Sequence, residues 1–295
     1  MPRAAGQTSP LIGAAALYET LGDPGWVVVD CRHQLSDSDA GRAAYDAGHI
    51  PGARHAHLDH DLAKAPSASE GRHPLPDPGN FAKTLGAWGI SNDTVVAAYD
   101  DASGAIAARL WWMLRWLGHE RARVLDGGLP AWSAQGLPLE AKLPIWDPAV
   151  FVPRTINSRW LVSTDDLPGQ LEQGRVLLDA RAAERFDGQV EPIDPVAGHI
   201  PGAVNLPFNR LVGADGRLLG EADLRARFDS ALSGRSASDA IAMCGSGVTA
   251  CHLLLGMRAA GLGDGLLYAG SWSEWIRSPE RPVEPKPPSM KTPPA

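Results

Sequence analysis

Cysteine is scarce in this 295-residue chain, with only Cys31, Cys244 and Cys251, and neither a Cys-x-x-Cys pair nor flanking histidines at ligand spacing. That pattern excludes a disulfide framework and a structural zinc, so no metal is expected, and a single reactive thiol is the reading worth pursuing. A surplus of basic charge is missing as well: the net charge is −7, with Lys and Arg interspersed among acids, which removes the electrostatic footprint of nucleic-acid binding. No apolar run is long enough to span a bilayer, and the opening MPRAAGQTSPLIGAAALYE is broken by Gly, Thr, Ser and Pro where a signal peptide would be continuous. A membrane is therefore not an expected partner, and the cytoplasm is the default compartment. What is present, 44% apolar and 21% charged residues, suffices for two globular domains with a core each.

An internal repeat organises the chain. Ala47-Gly48-His49-Ile50-Pro51-Gly52-Ala53 recurs letter for letter as Ala197-Gly198-His199-Ile200-Pro201-Gly202-Ala203. Before each copy stands an apolar run ending in Asp, Val27-Val28-Val29-Asp30 and Val176-Leu177-Leu178-Asp179, patterned like a buried strand of a parallel sheet. After each comes a second such run, Thr94 to Tyr99 and Ala240 to Met243, followed by Ser-Gly and a helical stretch. Strands alternating with helices predict an α/β fold of two tandem domains, each a parallel β-sheet covered by helices on both faces. The expected division is 1–138, a linker over 139–157, 158–280, and a frayed proline-rich tail over 281–295 that begins around Pro279. The His-Ile-Pro-Gly-Ala segments read as turns braced by His49 and His199. The run Trp111 to Leu117 reads as packing rather than as a cofactor platform.

The copies disagree in one strand-to-helix loop. The first has Tyr99-Asp100-Asp101-Ala102-Ser103-Gly104, the second Met243-Cys244-Gly245-Ser246-Gly247-Val248-Thr249. This loop belongs at the carboxyl end of a parallel strand, where α/β sites are built. Gly245 and Gly247 let the backbone curl its N–H groups inward at a helix N-terminus, a cradle expected to favour a thiolate, and later a persulfide anion, on Cys244. Asp100 at the matching point shows that packing alone does not require Cys there. Cys251, on the apolar face of the next helix, and Cys31, which aligns with Ala180, read as packing residues.

The duplicated Asp-then-Gly-His-Ile-Pro-Gly-Ala segments and the Cys-Gly-Ser-Gly-Val-Thr-Ala loop resemble the tandem rhodanese family over nearly the whole chain, and within it the 3-mercaptopyruvate sulfurtransferases. The resemblance implies a first, non-catalytic domain and a second, catalytic one. It implies sulfur transfer from 3-mercaptopyruvate to a thiol or cyanide acceptor, thioredoxin among the thiols, through a Cys244 persulfide and without a cofactor. Thiosulfate as donor and a persulfide carrier in a sulfur relay are the alternatives. The uncharged loop favours a donor with less charge than the thiosulfate dianion. By the same resemblance Arg185 grips the substrate's acidic group, helped by Gly245, Gly247, Val248 and Thr249, with the Thr249 hydroxyl also capping the helix. Asp59 and His73 fall where the family builds a Ser-His-Asp relay with the loop serine, here Ser246. The segment Lys64 to Gly79, which holds His73, is a surplus of the first domain over the second. A second substrate arginine of the family is replaced: the chain reads Glu191-Pro192-Ile193, which leaves an α-keto acid one arginine short. A tyrosine-phosphatase-like chemistry would need an arginine at position 250, which is Ala250.

Overall fold

The computed structural model describes residues 9–285. In chain order the first half contains β1 (Leu11–Ile12), α1 (Ala14–Tyr18), β2 (Trp26–Asp30), α2 (Ala40–Ala47), β3 (Arg54–His55), α3 (Pro78–Ala87), β4 (Val95–Tyr99), α4 (Ala107–Trp116), β5 (Ala122–Leu125) and α5 (Gly128–Ser133). The second half contains α6 (Leu167–Glu172), β6 (Val176–Asp179), α7 (Ala183–Phe186), β7 (Val204–Asn205), α8 (Glu221–Leu232), β8 (Ala240–Met243), α9 (Ala250–Ala259), β9 (Leu266–Leu267) and α10 (Ser271–Trp275). The strands form two sheets, ordered β1-β5-β4-β2-β3 and β7-β6-β8-β9, and every pairing is parallel. A lone parallel bridge from Leu161 to Leu267 takes the place of β1 in the second sheet.

Side chains alternate across the strands as period-2 geometry requires. Val28, Ala97 and Tyr99 pack against α1, α2 and α5 on one face of the first sheet, and Leu177, Ile241 and Met243 pack against α6 and α10 on the corresponding face of the second. The opposite faces share a single core, because Val27, Val29, Val96 and Ala98 under α3 and α4 are continuous with Leu178, Ala240 and Ala242 under α8 and α9. Helix α4, every residue of which is buried, lies against α9. The tryptophan run is thus the seam between the halves, which fixes the two domains as one packed body.

The repeat is as close in three dimensions as in sequence. Arg32 forks onto Asp30 and reaches Gly48 O at 2.7 Å, while Arg181 forks onto Asp179 and reaches Gly198 O at 2.8 Å. His49 stacks on Tyr45 with ring centroids 3.9 Å apart, and His199 stacks on Phe186 at 3.7 Å. Each histidine's backbone then pairs antiparallel with a later glutamate, Glu140 or Glu284. That second pairing corrects the expectation of a tail fraying from Pro279: Glu284 is bridged to His199, and Pro282 O accepts the Trp275 indole N–H at 2.9 Å. The chain is held there because it satisfies the same buried turn that Glu140 satisfies in the first half. The rest of the expected tail, 286–295, lies outside the described residues. The segment between the sheets is docked as well, through Trp146 Nε1 to Ala87 O at 2.7 Å and a buried Phe151.

Candidate active site

Asp100 directly follows β4 and Cys244 directly follows β8, at the same register of the two sheets. In the first half the Asp100 carboxylate fills the loop: its two oxygens accept the backbone N–H groups of Ala102, Gly104, Ile106 and Ala107 at 2.8–2.9 Å. In the first copy the loop is thus an anion cradle filled by its own side chain. In the second, Cys244 occupies the carboxylate's place. Its Sγ accepts the Gly247 N–H at 3.1 Å, and its own N–H donates to Ser271 Oγ at 3.1 Å. Ser271 adopts a left-handed φ of 55°, where the first copy has Gly128 at 57°. The strain of a side chain there is offset by the hydroxyl, which anchors Cys244 and donates to Tyr268 O at 2.9 Å. Gly247 is obligatory, since its φ is +78° and a Cβ would stand 2.4 Å from Ala269 O.

The surplus segment of the first half crosses to this loop. Arg72 N–H donates to Ser273 Oγ at 3.1 Å, and the His73 ring lies between two partners, with Nδ1 2.7 Å from Ser246 Oγ and Nε2 3.0 Å from Asp59 Oδ1. The residues marked in sequence as Ser246, His73 and Asp59 thus form one hydrogen-bonded chain. Burial, reinforced by the Arg109 charge, pushes the His73 pKa down to about 4, and the Asp59 carboxylate raises it against them. The imidazole is neutral at pH 7. Asp59 only accepts, so the ring proton sits on Nε2 and Nδ1 is free to accept the Ser246 O–H.

Two arginines absent from the sequence reading complete the site. Arg109, in α4 and fully buried, donates to Gly247 O at 3.1 Å and to His73 O at 3.0 Å, and so ties the cysteine loop to the histidine from beneath. No ion-pair partner for it occurs among the described residues. Arg72 pairs with Asp194. Arg185, in α7, forks onto Glu191 and reaches Asp194 at 3.1 Å. Burial would raise the Glu191 pKa, but hydrogen bonds from Arg185 and from the N–H of Asp194 outweigh it and lower it. For Asp194 burial prevails over Arg72 and raises the pKa. Ile193 is exposed beside them.

Other expected residues fall as follows. Gly245 is buried next to Arg72 and Arg185, and Val248 packs into the shared core. Thr249 occupies the N-cap position of α9, yet its hydroxyl makes no capping bond, a correction to the sequence reading. Its backbone is already right-handed helical there, where a capping residue is extended and aims its oxygen at the first-turn N–H groups. Burial pushes the Cys251 thiol up to about 12 and Cys31 well above its ordinary value, so neither is a ready nucleophile. The loops after β2 and β3 also gather His33, His57 and Asp59, with potential ligand atoms within 4.8 Å of one another, although Asp59 is engaged by His73. No helix among the described residues is long and apolar enough to cross a membrane.

The rhodanese-like domain model matches twice, over residues 13–135 and 163–278. A Pseudomonas aeruginosa protein named "Probable 3-mercaptopyruvate sulfurtransferase" is 48% identical over 279 residues, covering 94% of this chain and 98% of its own. Bovine thiosulfate sulfurtransferase is 36% identical over 259 residues, with 86% of each chain covered. The structure of 3-mercaptopyruvate sulfurtransferase from Leishmania major superposes with a TM-score of 0.82 at 33% identity, covering 94% of this chain and 76% of its own. Matched by the rhodanese-like domain model over both halves and 48% identical to a relative over nearly its whole length, this chain belongs to the rhodanese family.

Proposed function

We propose that the protein is a sulfurtransferase that takes a sulfane sulfur from 3-mercaptopyruvate onto Cys244 and passes it to a thiol or cyanide. The observation that carries this reading is the hydrogen-bonded chain Ser246–His73–Asp59 beside Cys244. A mercaptopyruvate donor must give up its thiol proton and gain one on carbon, whereas thiosulfate requires no proton movement. A relay at the sulfur has work to do only with the first donor.

The cycle balances as follows. Ser246 Oγ takes the donor's thiol proton while its own moves to His73 Nδ1, and Asp59 stabilises the imidazolium that forms. Cys244 thiolate attacks the donor sulfur. An S–S bond forms, the C–S bond breaks, and its electron pair stays on carbon as the enolate of pyruvate. The proton returns from His73 through Ser246 to that carbon. The products are pyruvate and the Cys244 persulfide anion, which the cradle holds where the first half holds the Asp100 carboxylate. A thiol then takes the outer sulfur to give its own persulfide, or cyanide takes it to give thiocyanate, and the Cys244 thiolate is regenerated. Thioredoxin is a fitting thiol acceptor.

Steady-state turnover with 3-mercaptopyruvate and with thiosulfate, against one acceptor, tests the choice of donor. The expected result is a higher kcat/KM for mercaptopyruvate. A clear preference for thiosulfate would overturn it.

A further inference from the structure

Strands β2 and β3 pair in parallel, with Val29 opposite Arg54 and Asp30 opposite His55, so the loops that leave their carboxyl ends emerge side by side. That topology brings His33 from the first loop to His57 and Asp59 from the second. We infer that these three residues form a binding site for a divalent first-row transition-metal ion, and that an ion held there brakes sulfur transfer by drawing Asp59 away from His73. The site stands on its own geometry, and the brake rests on the mercaptopyruvate reading above.

One potential ligand atom from each residue lies within 4.8 Å of the other two. Bonds of about 2.0–2.2 Å to a single ion require these atoms to draw in by about 1 Å. All three residues are half-buried on loops, which gives them room to move and leaves the ion a way in from solvent. Two imidazoles and a carboxylate suit Zn²⁺, Co²⁺ or Ni²⁺, whereas Mg²⁺ and Ca²⁺ ask for an all-oxygen set. The nitrogens are available. The His33 ring makes no hydrogen bond among the described residues and stands edge-on to the His57 ring, with centroids 5.8 Å apart. His57 is fixed in its turn by its own N–H, which donates to Asp61 Oδ2 at 2.7 Å. Its Nδ1 accepts the Asp59 N–H at 3.1 Å, a neutral bond that coordination exchanges for the stronger one to a cation.

Asp59 belongs to two arrangements at once. Its Oδ1 is 3.0 Å from His73 Nε2, and its side chain is still 35% exposed. An ion that pulls this carboxylate toward His33 and His57 stretches the contact with His73, and the ion's two positive charges cancel the negative charge that contact depends on. His73 then loses the partner that orients it toward Ser246, 2.7 Å from its other nitrogen. Transfer from thiosulfate moves no proton and does not use the relay. The metal therefore slows loading from 3-mercaptopyruvate and spares loading from thiosulfate.

Zn²⁺ in equilibrium dialysis and Co²⁺ in visible absorption are the probes, applied to the wild type, His33→Gln, His57→Gln, and Cys244→Ser, which removes the thiolate as a competing ligand. One ion per chain should bind to the wild type and to Cys244→Ser, with affinity lowered at least about 10-fold in each histidine variant. Binding that follows Cys244, or that is unchanged in both histidine variants, would overturn the site. The brake is read as sulfur loading from donor alone, with free Zn²⁺ fixed by a chelator buffer in excess over the donor. Saturating Zn²⁺ should slow loading of the wild type from 3-mercaptopyruvate about 10-fold or more, and from thiosulfate by less than about threefold. The histidine variants should load from both donors as the metal-free wild type does, which also shows that they are folded. Equal slowing with both donors, or none, would overturn the brake and leave the site standing. If metal-free Asp59→Asn loads from 3-mercaptopyruvate as fast as the wild type, the relay reading falls and the brake with it, and the dialysis result alone decides the site.

Discussion

Replacing Asp59 by Asn should separate the two candidate donors. The carboxylate oxygen is 3.0 Å from His73 Nε2, and the other ring nitrogen is 2.7 Å from Ser246 Oγ. Asp59 is the group that raises the His73 pKa against burial and the charges of Arg109 and Arg72. Without its charge the imidazolium formed during proton transfer is buried next to two arginines and unpaired. A hydrogen bond to a charged group contributes about 1.5–3 kcal/mol. Because the Asp59 side chain is 35% exposed, solvent screens part of that, and about 2 kcal/mol is the appropriate figure. That predicts a loss of about 30-fold in kcat/KM with 3-mercaptopyruvate. With thiosulfate, sulfite departs with the electron pair of its S–S bond and no proton moves, so the variant should stay within about threefold of wild type. Pyruvate and sulfite release in parallel assays gives both numbers. Equal losses with the two donors, or no loss with either, would refute the relay.

Gly247→Ala should inactivate and destabilise the protein, since it demands a left-handed φ of +78° and sets a methyl 2.4 Å from a carbonyl oxygen; thermal melting together with turnover checks it. Asp100→Ala should lower stability by more than about 3 kcal/mol in denaturant titration, because three buried N–H groups, those of Gly104, Ile106 and Ala107, lose their acceptor at about 1–3 kcal/mol each when unsatisfied. His73, His119 and His252 are all buried, with pKa values pushed down to about 4 chiefly by desolvation. Folding thus keeps them neutral while the unfolded chain protonates near its ordinary value, so stability is full above about pH 6.5 and falls as the pH drops toward 4, by on the order of 2 kcal/mol per group at pH 5. Unfolding free energies flat between pH 7 and 5 would contradict this.

Much of the fold could be read from the sequence because the duplication repeats local signals: the apolar runs before Asp30 and Asp179, the identical turns, and the disagreement between Asp100 and Cys244. The residues singled out at the loop and in the surplus segment carry recognisable types at recognisable spacings, and the structure brings Cys244, Ser246, His73 and Asp59 to one place. What the sequence did not disclose is long-range. Arg109 sits in an apolar helical run and meets Gly247, 138 positions away, through a carbonyl, which leaves no pattern in composition or period. Arg72 is a neighbour of His73 with nothing local to distinguish it, and only the docking of its segment against Ser273 gives it meaning. The role of Asp100 as a built-in anion could not be read either, because four backbone donors converge on it only after the loop closes. Thr249 shows the opposite failure, since a residue of the right type at the N-cap position has the wrong backbone angle to cap.

Incubating the protein with donor alone, measuring the intact mass and then mapping the modified peptide shows whether Cys244 carries the transferred sulfur. The expected result is a gain of one sulfur atom per chain, located on Cys244, abolished in Cys244→Ser and retained in Cys31→Ser and Cys251→Ser. No gain in the wild type, or a gain that follows Cys31 or Cys251, would contradict it.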